Sequence, residues 1–418
     1  MNDVSKKTIW YCHHYAGSPK LGMSYRPFHI TKAFNQLGHN GFVIRASFHH
    51  LLRQAAPPQR EGISCYEEEG VPVVCIKARY YRGNGLGRLL NSLDYALGIK
   101  KYYQSIIDKT GKPEVIIVSS AHPFHFKFLY KLSRKLGAKL IFEVRDLWPL
   151  SLQELLGVNQ WHPMSIWLSH IEKKAYKHSD YVVSLLDKAL PYMQPRGLSP
   201  ERFIHIPNGV AVLSNDRVQS ALNPKLKQQI EKLRGKKKIL LGYAGAMGKP
   251  NALESLIKAL KLLQDNHIKL HCILVGDGGL KQELVQYADS LKLENVTFMD
   301  PILKAEVNLF LAQMDVLYLG WNNSPLYQYG VSPNKLFDYM LAKKPIVESG
   351  GAPRSIIDEA GCGIRCKAES PKAISETLET MVRLTDDQRK QMGQKAYHMV
   401  TENFDYHKLA CDYQKVFN

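Results

Sequence analysis

Residues 327–347 read YQYGVSPNKLFDYMLAKKPIV, and several side chains in this stretch could hold an anion. Ser332 is a good helix N-cap and Pro333 suits the first helical position, where a missing N–H costs nothing. The spacing therefore predicts a helix that runs on through NKLFDYMLA. The first amides of a helix have no intrahelical partner. Those of Asn334 and Lys335 would sit at the positive end of the helix dipole, where the Lys335 ammonium adds a full charge. Asp338 lies four residues after Asn334 and three after Lys335, on the same face one turn deeper. A carboxylate there repels a phosphate set directly against it, but accepts hydrogen bonds from sugar hydroxyls a ribose away. The pattern points to a nucleoside diphosphate. It also fits a well-capped surface helix followed by the buried strand KPIVES, so the segment alone does not decide.

Three glycine-rich turns, HHYAGSPKLGM, GYAGAMGKPN and VGDGG, follow apolar runs. Gly17, Gly22, Gly245, Gly248, Gly276 and Gly278 would let backbone approach a ligand closely. None matches G-x-G-x-x-G or the Walker A spacing, and each alone equally fits an ordinary strand-to-helix turn.

The elements that must position these residues are legible as alternating apolar runs and helical patterns. KTIWYCHHY, NGFVIRAS, VPVVCIKA, EVIIVSSA, KLIFEVRD and DYVVSLL form one series. KKILLGYAGAMG, LHCILVGDGG, ENVTFMD, DVLYLGW and KKPIVESG form a second. Such alternation predicts two tandem open α/β sheets, joined through a polar, lysine-rich stretch near residues 208–238. Ligands of such sheets bind at the carboxyl ends of the strands, where the glycine turns fall.

The chain has 418 residues, 45% of them hydrophobic, which is ordinary for a globular protein of two or three domains. Its N-terminus is too polar for a signal peptide and no apolar run approaches the roughly 20 residues that span a bilayer, so a cytoplasmic location is expected. Seven scattered cysteines fit reduced thiols, with CGIRC a poor candidate for metal. The net charge is +18, and residues 1–210 carry 28 Lys and Arg against 15 Asp and Glu, leaving that half at +13. A basic field of this size attracts nucleic acid, anionic headgroups or phosphorylated substrates without choosing among them.

Taken in order, GYAGAMGKPNALESLIKAL, ILVGDGGLKQELVQYA, ENVTFMDPI, SPNKLFDYMLAKKPIV and EAGCGIRC resemble the C-terminal domain of the GT-B glycosyltransferases of family 4, which are retaining enzymes. HHYAGSP, RPFHITKAFNQLGHNGFVI, FEVRDLWP, YKHSDYVVSLL and IPNGV extend the likeness over nearly the whole chain, closest to the WbuB-like bacterial transferases of O-antigen and capsule assembly. The resemblance implies two Rossmann-like domains facing across a cleft, with an acceptor-binding domain at 1–210, a nucleotide-sugar-binding domain at 211–400, and a C-terminal helix at 401–418 crossing back to the first.

It implies further that Val331, Ser332, Pro333 and Asn334 hold the donor diphosphate, that Asp338 takes the ribose, and that Gly17, Gly22, Gly245, Asn251 and Gly276 approach the donor. Many family members carry Glu-x7-Glu here. Asp338 occupies the second acidic position and Gly330 the first, so the contact to the donor hexose falls to backbone or is absent. The basic pair that usually grips the diphosphate reduces to Lys249 and Lys335, the arginine position being Ala246. Where relatives place a histidine, FEVRDLWP has Arg145 and Asp146. Arg145 stays protonated and would act electrostatically, while Asp146 or Glu143 could receive the acceptor proton or pair with Arg145. His122 and His125 are candidates for contact near the acceptor. Without an Asp-x-Asp pair, and with lysines and a helix dipole to carry the charge, turnover is expected to need no divalent cation and no cofactor.

The acceptor side rests on residues 77–103, where Leu86, Leu89, Leu90, Leu93 and Leu97 form a stripe flanked by Arg79, Arg82 and Arg88. A stripe of this kind fits a core-packed helix or a membrane contact. The family's lipid-linked acceptors favour the membrane. The activity expected is transfer from a UDP-hexose or UDP-HexNAc to a polyprenyl-diphosphate saccharide, by a protein peripheral on the inner face of the cytoplasmic membrane. The rival readings are a UDP-sugar 2-epimerase of similar fold, separable by turnover without acceptor, and a basic nucleic-acid-binding protein, for which no motif is present.

Overall fold

A computed structural model describes residues 5–22, 24–52, 62–83, 85–120, 122–212, 221–236 and 238–417. The chain divides into two compact units, residues 1–211 with 406–418, and residues 212–405. The polar junction read at 208–238 lies partly outside the described residues.

The first unit is built on an eight-stranded sheet of β1 (Thr8–Cys12), β2 (Asn40–Ala46), β3 (Ile63–Glu68), β4 (Val71–Ile76), β5 (Val115–Ser119), β6 (Lys139–Val144), β7 (Tyr181–Ser184) and β8 (Phe203–His205). Its order is β3-β4-β2-β1-β5-β6-β7-β8. The strand order reverses between β1 and β5, which places the loops after those strands beside one crevice. Every residue of β5 (VIIVS) is buried, as expected of a parallel strand covered by helices on both faces. β3 is the exception. It pairs antiparallel to β4 through a turn at Glu69 and Gly70, both with positive φ, and its alternating pattern is that of an edge strand.

The second unit has a six-stranded parallel sheet of β9 (Ile239–Ala244), β10 (Leu270–Val275), β11 (Val296–Met299), β12 (Val316–Gly320), β13 (Ile346–Ser349) and β14 (Gly363–Cys366), in the order β11-β10-β9-β12-β13-β14. Its switch point lies between β9 and β12. The loop after β9 is GAMGKPN, and the chain after β12 leads to the helix Asn334–Leu341.

The last helix, Tyr406–Gln414, belongs to the first unit. Leu409, Ala410, Tyr413, Val416 and Phe417 are buried against Ile9, Ile30 and Phe34, with the Tyr413 and Phe417 rings 5.8 and 5.3 Å from that of Phe34. Burying an apolar side chain of this size is worth roughly 1.5–3 kcal/mol. The helix is also anchored by a polar knot. Arg26, on the helix Arg26–Gln36, is fully buried, ion-paired to Glu143 at 2.9 Å, and donates to the carbonyls of Ile206 and Pro207 and to the Tyr413 hydroxyl. Glu143 accepts from Tyr11 and Ser119, both at 2.6 Å, and from Tyr413. Burial alone would raise its pKa, but Arg26 and the surrounding donors overcome this and take the carboxyl down to about 2.

Candidate functional site

In the second unit the candidate anion site is assembled from the two segments flanking the switch point. The helix starts one residue later than its sequence predicts. Pro333, with ψ 133°, is the extended N-cap residue and Asn334 the first helical one. The Leu336 amide reaches back to the Pro333 carbonyl at 3.2 Å, and the Asn334 and Lys335 amides begin the first turn, at the positive end of the helix. Val331, Ser332 and Pro333 lead in as a partly buried segment after Gly330, whose φ of 100° ends a 3-10 turn at Pro325–Tyr329.

Lys335 turns from this helix onto the loop after β9. Its ammonium donates to the Asn251 amide oxygen at 2.6 Å and to the Tyr243 hydroxyl at 2.9 Å, and lies 4.4 Å from the centre of the Tyr243 ring. Both partners are neutral. Burial pushes the ammonium down to about 7. A Cβ at Gly245 would come within 3.0 Å of Lys335 Nζ, so the glycine makes room for the lysine. Tyr243 and Asn251 both bond the Ala246 carbonyl, at 2.5 and 2.9 Å, which fixes the loop. Tyr243 was not singled out from sequence. Its position at the end of β9, before the glycine turn, was the available signal. Lys249 lies in the same loop, exposed and in no ion pair among the described residues.

Further positions have partners within the chain. Gly276 and Gly278 do not owe their identity to a ligand. A Cβ on Gly276 would sit 1.9 Å from the Gly245 carbonyl oxygen, and one on Gly278 2.5 Å from that of Met247, so it is the neighbouring loop that approaches. Asp338 is not a free carboxylate, since Lys304 on the helix Lys304–Ala312 holds its Oδ2 at 2.5 Å. Oδ1 is the oxygen left for a sugar.

In the first unit, the loop after β1 closes on itself. The Gly17 amide donates to the Ser24 carbonyl and that of Gly22 to the Ser18 carbonyl, while Ser18 donates to Glu68 of β3. The positive φ of Gly22, 146°, is part of this closure. Arg145 donates to His13 Nε2 at 3.0 Å and to Ser24 Oγ at 3.1 Å. It does not pair with Glu143, whose partner is Arg26, and Glu143 has no accessible surface. The carboxylate proposed as a proton acceptor is therefore structural. Asp146 stands exposed beside Arg145.

Around Arg145 the chain gathers His13, His14, His49, His122 and His125, all buried. Burial, with Arg145 beside His13, drives their pKa values down, so these rings are neutral. His122 lies edge-on to His14 at 4.5 Å, and neither of its ring nitrogens has a hydrogen-bond partner. His125 is enclosed in the core against Tyr95. Arg88 donates to the Tyr15 hydroxyl at 3.0 Å, and the Tyr15 ring lies 5.7 Å from His122. Arg79 is consumed by a two-pronged ion pair with Asp94, at 2.6 and 2.9 Å, which leaves it little charge for an acceptor. Arg82 is exposed. The helix Leu86–Thr110 buries Asn91, Ser92, Tyr95 and Ile99, not the leucine stripe, leaving Leu86 69% and Leu97 61% exposed. Among the described residues no group of three or more His, Cys, Asp or Glu is arranged to hold a metal ion.

Residues 225–399 match the family described as "Glycosyl transferases group 1" and residues 22–209 match "Glycosyl transferase 4-like domain". The second unit thus carries a group 1 glycosyltransferase match and the first a 4-like match, and the two-domain architecture is the GT-B fold. The probable glycosyltransferase WbjE of Pseudomonas aeruginosa is 23% identical over 273 residues, a stretch covering 64% of this chain and 66% of WbjE, just under two thirds of that relative. Two solved structures share the fold. HepE of Anabaena, in complex with UDP and glucose, is 14% identical with 98% of each chain covered and a TM-score of 0.65. WaaG, a glycosyltransferase involved in lipopolysaccharide biosynthesis, is 17% identical, with 98% of this chain and 99% of WaaG covered and a TM-score of 0.63.

Proposed function

We propose that the protein is a retaining glycosyltransferase that moves a hexose or aminosugar from a UDP-sugar to a lipid-linked saccharide in bacterial surface-polysaccharide assembly, working at the inner face of the cytoplasmic membrane. The observation that carries the donor half is Lys335, a part-buried ammonium whose two partners are neutral, set in the first turn of a helix. A buried charge without a counter-charge is costly, and the ligand that relieves the cost is an anion.

Breaking the sugar–diphosphate bond builds negative charge on the leaving group. Lys335, Lys249 and the amides of Asn334 and Lys335 supply fixed positive charge there before the reaction begins. Asp338 Oδ1 would accept from the ribose. Arg145 and Arg88, among neutral imidazoles that can accept from sugar hydroxyls, suit the acceptor and its diphosphate. With Glu143 structural, the acceptor proton goes to the leaving phosphate or to Asp146. The UDP in HepE supports a UDP donor, and the role of WaaG in lipopolysaccharide biosynthesis supports a lipid-linked acceptor.

UDP is expected to stabilise the protein against heat far more than uridine does, and excess EDTA should not diminish the effect. Thermal-shift titrations check both. Equal shifts for the two ligands would remove the diphosphate site, and loss of the UDP effect on chelation, restored by Mg²⁺, would remove the charge role of the lysines. Asp338→Ala should weaken UDP ten- to a hundredfold, the worth of a hydrogen bond to a charged acceptor at roughly 1.5–3 kcal/mol, and leave inorganic diphosphate nearly unchanged. Calorimetry with both ligands decides. Equal losses mean that Asp338 acts through Lys304 on the phosphate site.

A further inference from the structure

We infer that the N-terminal tip of the helix Pro163–His178 docks the protein on an anionic bilayer, at the edge of the pocket that holds Arg88 and His122. The inference rests on the lipid-linked acceptor proposed above and adds the surface that would reach it.

The tip is apolar and open. Trp161 is 75% exposed, Ile166 53% and Trp167 40%, with Leu155, on the preceding helix Leu150–Leu156, at 48%. His162 is the N-cap, so Trp161 and Ile166 occupy the two positions that ordinarily pack on each other at a helix start. Their exposure shows that such a pairing does not use up their surface. The tip is held in shape, since the Met164 amide donates to His162 and Ser165 donates to the Asn159 carbonyl.

Charge complementarity selects the occupant. Ile166, His170, Lys173, Lys174 and Lys177 follow one another at helical spacing, so one exposed stripe is apolar at its tip and basic along its stem. The three lysines make no ion pair among the described residues, and Glu172, which immediately precedes them, is buried and faces Arg196. Tryptophan and isoleucine ahead of lysines suit a helix tip seated in the acyl boundary with its stem among anionic headgroups.

The tip is continuous with the pocket. Trp167 stacks on Phe124 at 4.6 Å, Phe124 stacks on His122 at 5.0 Å, and the Tyr15 ring that receives Arg88 lies 5.7 Å beyond. A diphosphate at headgroup depth beside Trp167 is thus a few ring-widths from two arginines. The exposed Leu86 lies two residues before Arg88 on the helix Leu86–Thr110.

The test is partition of the full chain onto vesicles of phosphatidylcholine with one third phosphatidylglycerol, against phosphatidylcholine alone, for wild type and the double variant Trp161→Ser, Ile166→Ser. The variant should bind the anionic vesicles about ten- to a hundredfold more weakly, with its UDP-induced thermal shift unchanged. Leu262→Ser, an exposed leucine of the second unit, should bind as wild type. In the wild type, Trp fluorescence should shift to the blue on binding and be quenched by brominated lipid. Unchanged binding of the double variant overturns the inference. So does a variant whose only change is loss of self-association in light scattering, which would make the tip a contact between copies. Vesicle binding without a UDP shift would sink the donor assignment and leave this surface standing.

Discussion

Lys335→Met is expected to make the ligand-free protein more stable and to remove most of its affinity for UDP. The stability gain follows from deleting a charge whose partners are neutral, at a site where an apolar chain of similar length fits. Changes of this class are worth about 0.5–2 kcal/mol. The affinity loss should be about a hundredfold, the upper part of what a charge-assisted hydrogen bond supports. The two effects have opposite signs, so a variant that simply misfolds cannot mimic them.

The pH dependence adds a check. Lys335 in the free protein titrates at about 7, below the ordinary lysine value. Below pH 7 the folded protein bears the full cost of the buried charge. That cost fades as pH rises from about 7 towards the lysine value of the unfolded chain, roughly 10.4. A bound diphosphate favours the ammonium, so at pH 8 binding should take up close to one proton, read from the buffer dependence of the calorimetric heat. UDP affinity should fall above pH 7 by up to about tenfold per unit. Proton uptake by the methionine variant equal to that of the wild type would place the titrating group elsewhere.

Glu143→Gln should be among the most damaging single substitutions in the first unit. It keeps the shape but leaves the Arg26 guanidinium fully buried without a counter-charge, a change that costs roughly 3–5 kcal/mol. For a unit of about 200 residues this lowers Tm by on the order of 10 °C. Because Glu143 is depressed to about 2 in the fold, its contribution is fully present above the ordinary glutamate value and is lost as pH falls through 2. Acid unfolding followed by circular dichroism should show this loss in the wild type and much less of it in the variant. A variant within 1 kcal/mol of wild type would mean that water or backbone supplies Arg26 with what Glu143 does now.

Much of the sheet architecture was legible because buried parallel strands are unbroken apolar runs and glycine turns mark their carboxyl ends. The edge strands β3 and β14 were not. β3 alternates like a loop with a charged end, and β14 is the four residues Gly363–Cys366 following a tight turn. The helix start slipped by one residue because propensity permits Ser332 and Pro333 to cap, while the extended entry from Gly330 sets Pro333 itself at the N-cap. The site lysine was legible from its place in the first turn. Its partner Tyr243 is 92 residues away, and no local pattern reports such a contact. Glu143 misled for the same reason. It adjoins Arg145 within two residues in sequence, yet its charge partner is Arg26, 117 residues earlier. Arg79 reads as a free basic residue until Asp94, one helix away, is seen to hold it.

The return of residues 406–417 to the first unit bears on how the chain is made. Tyr413 and Arg26 are 387 residues apart, so a ribosome must add the whole second unit before the first sheet receives the side chains that finish its core. The second unit, contiguous from 212 to 405, has every strand of its sheet in hand sooner. Translation therefore presents the units in one order and lets them complete in the other, with the polar knot at Glu143 unfinished on the nascent chain until its closing tyrosine emerges.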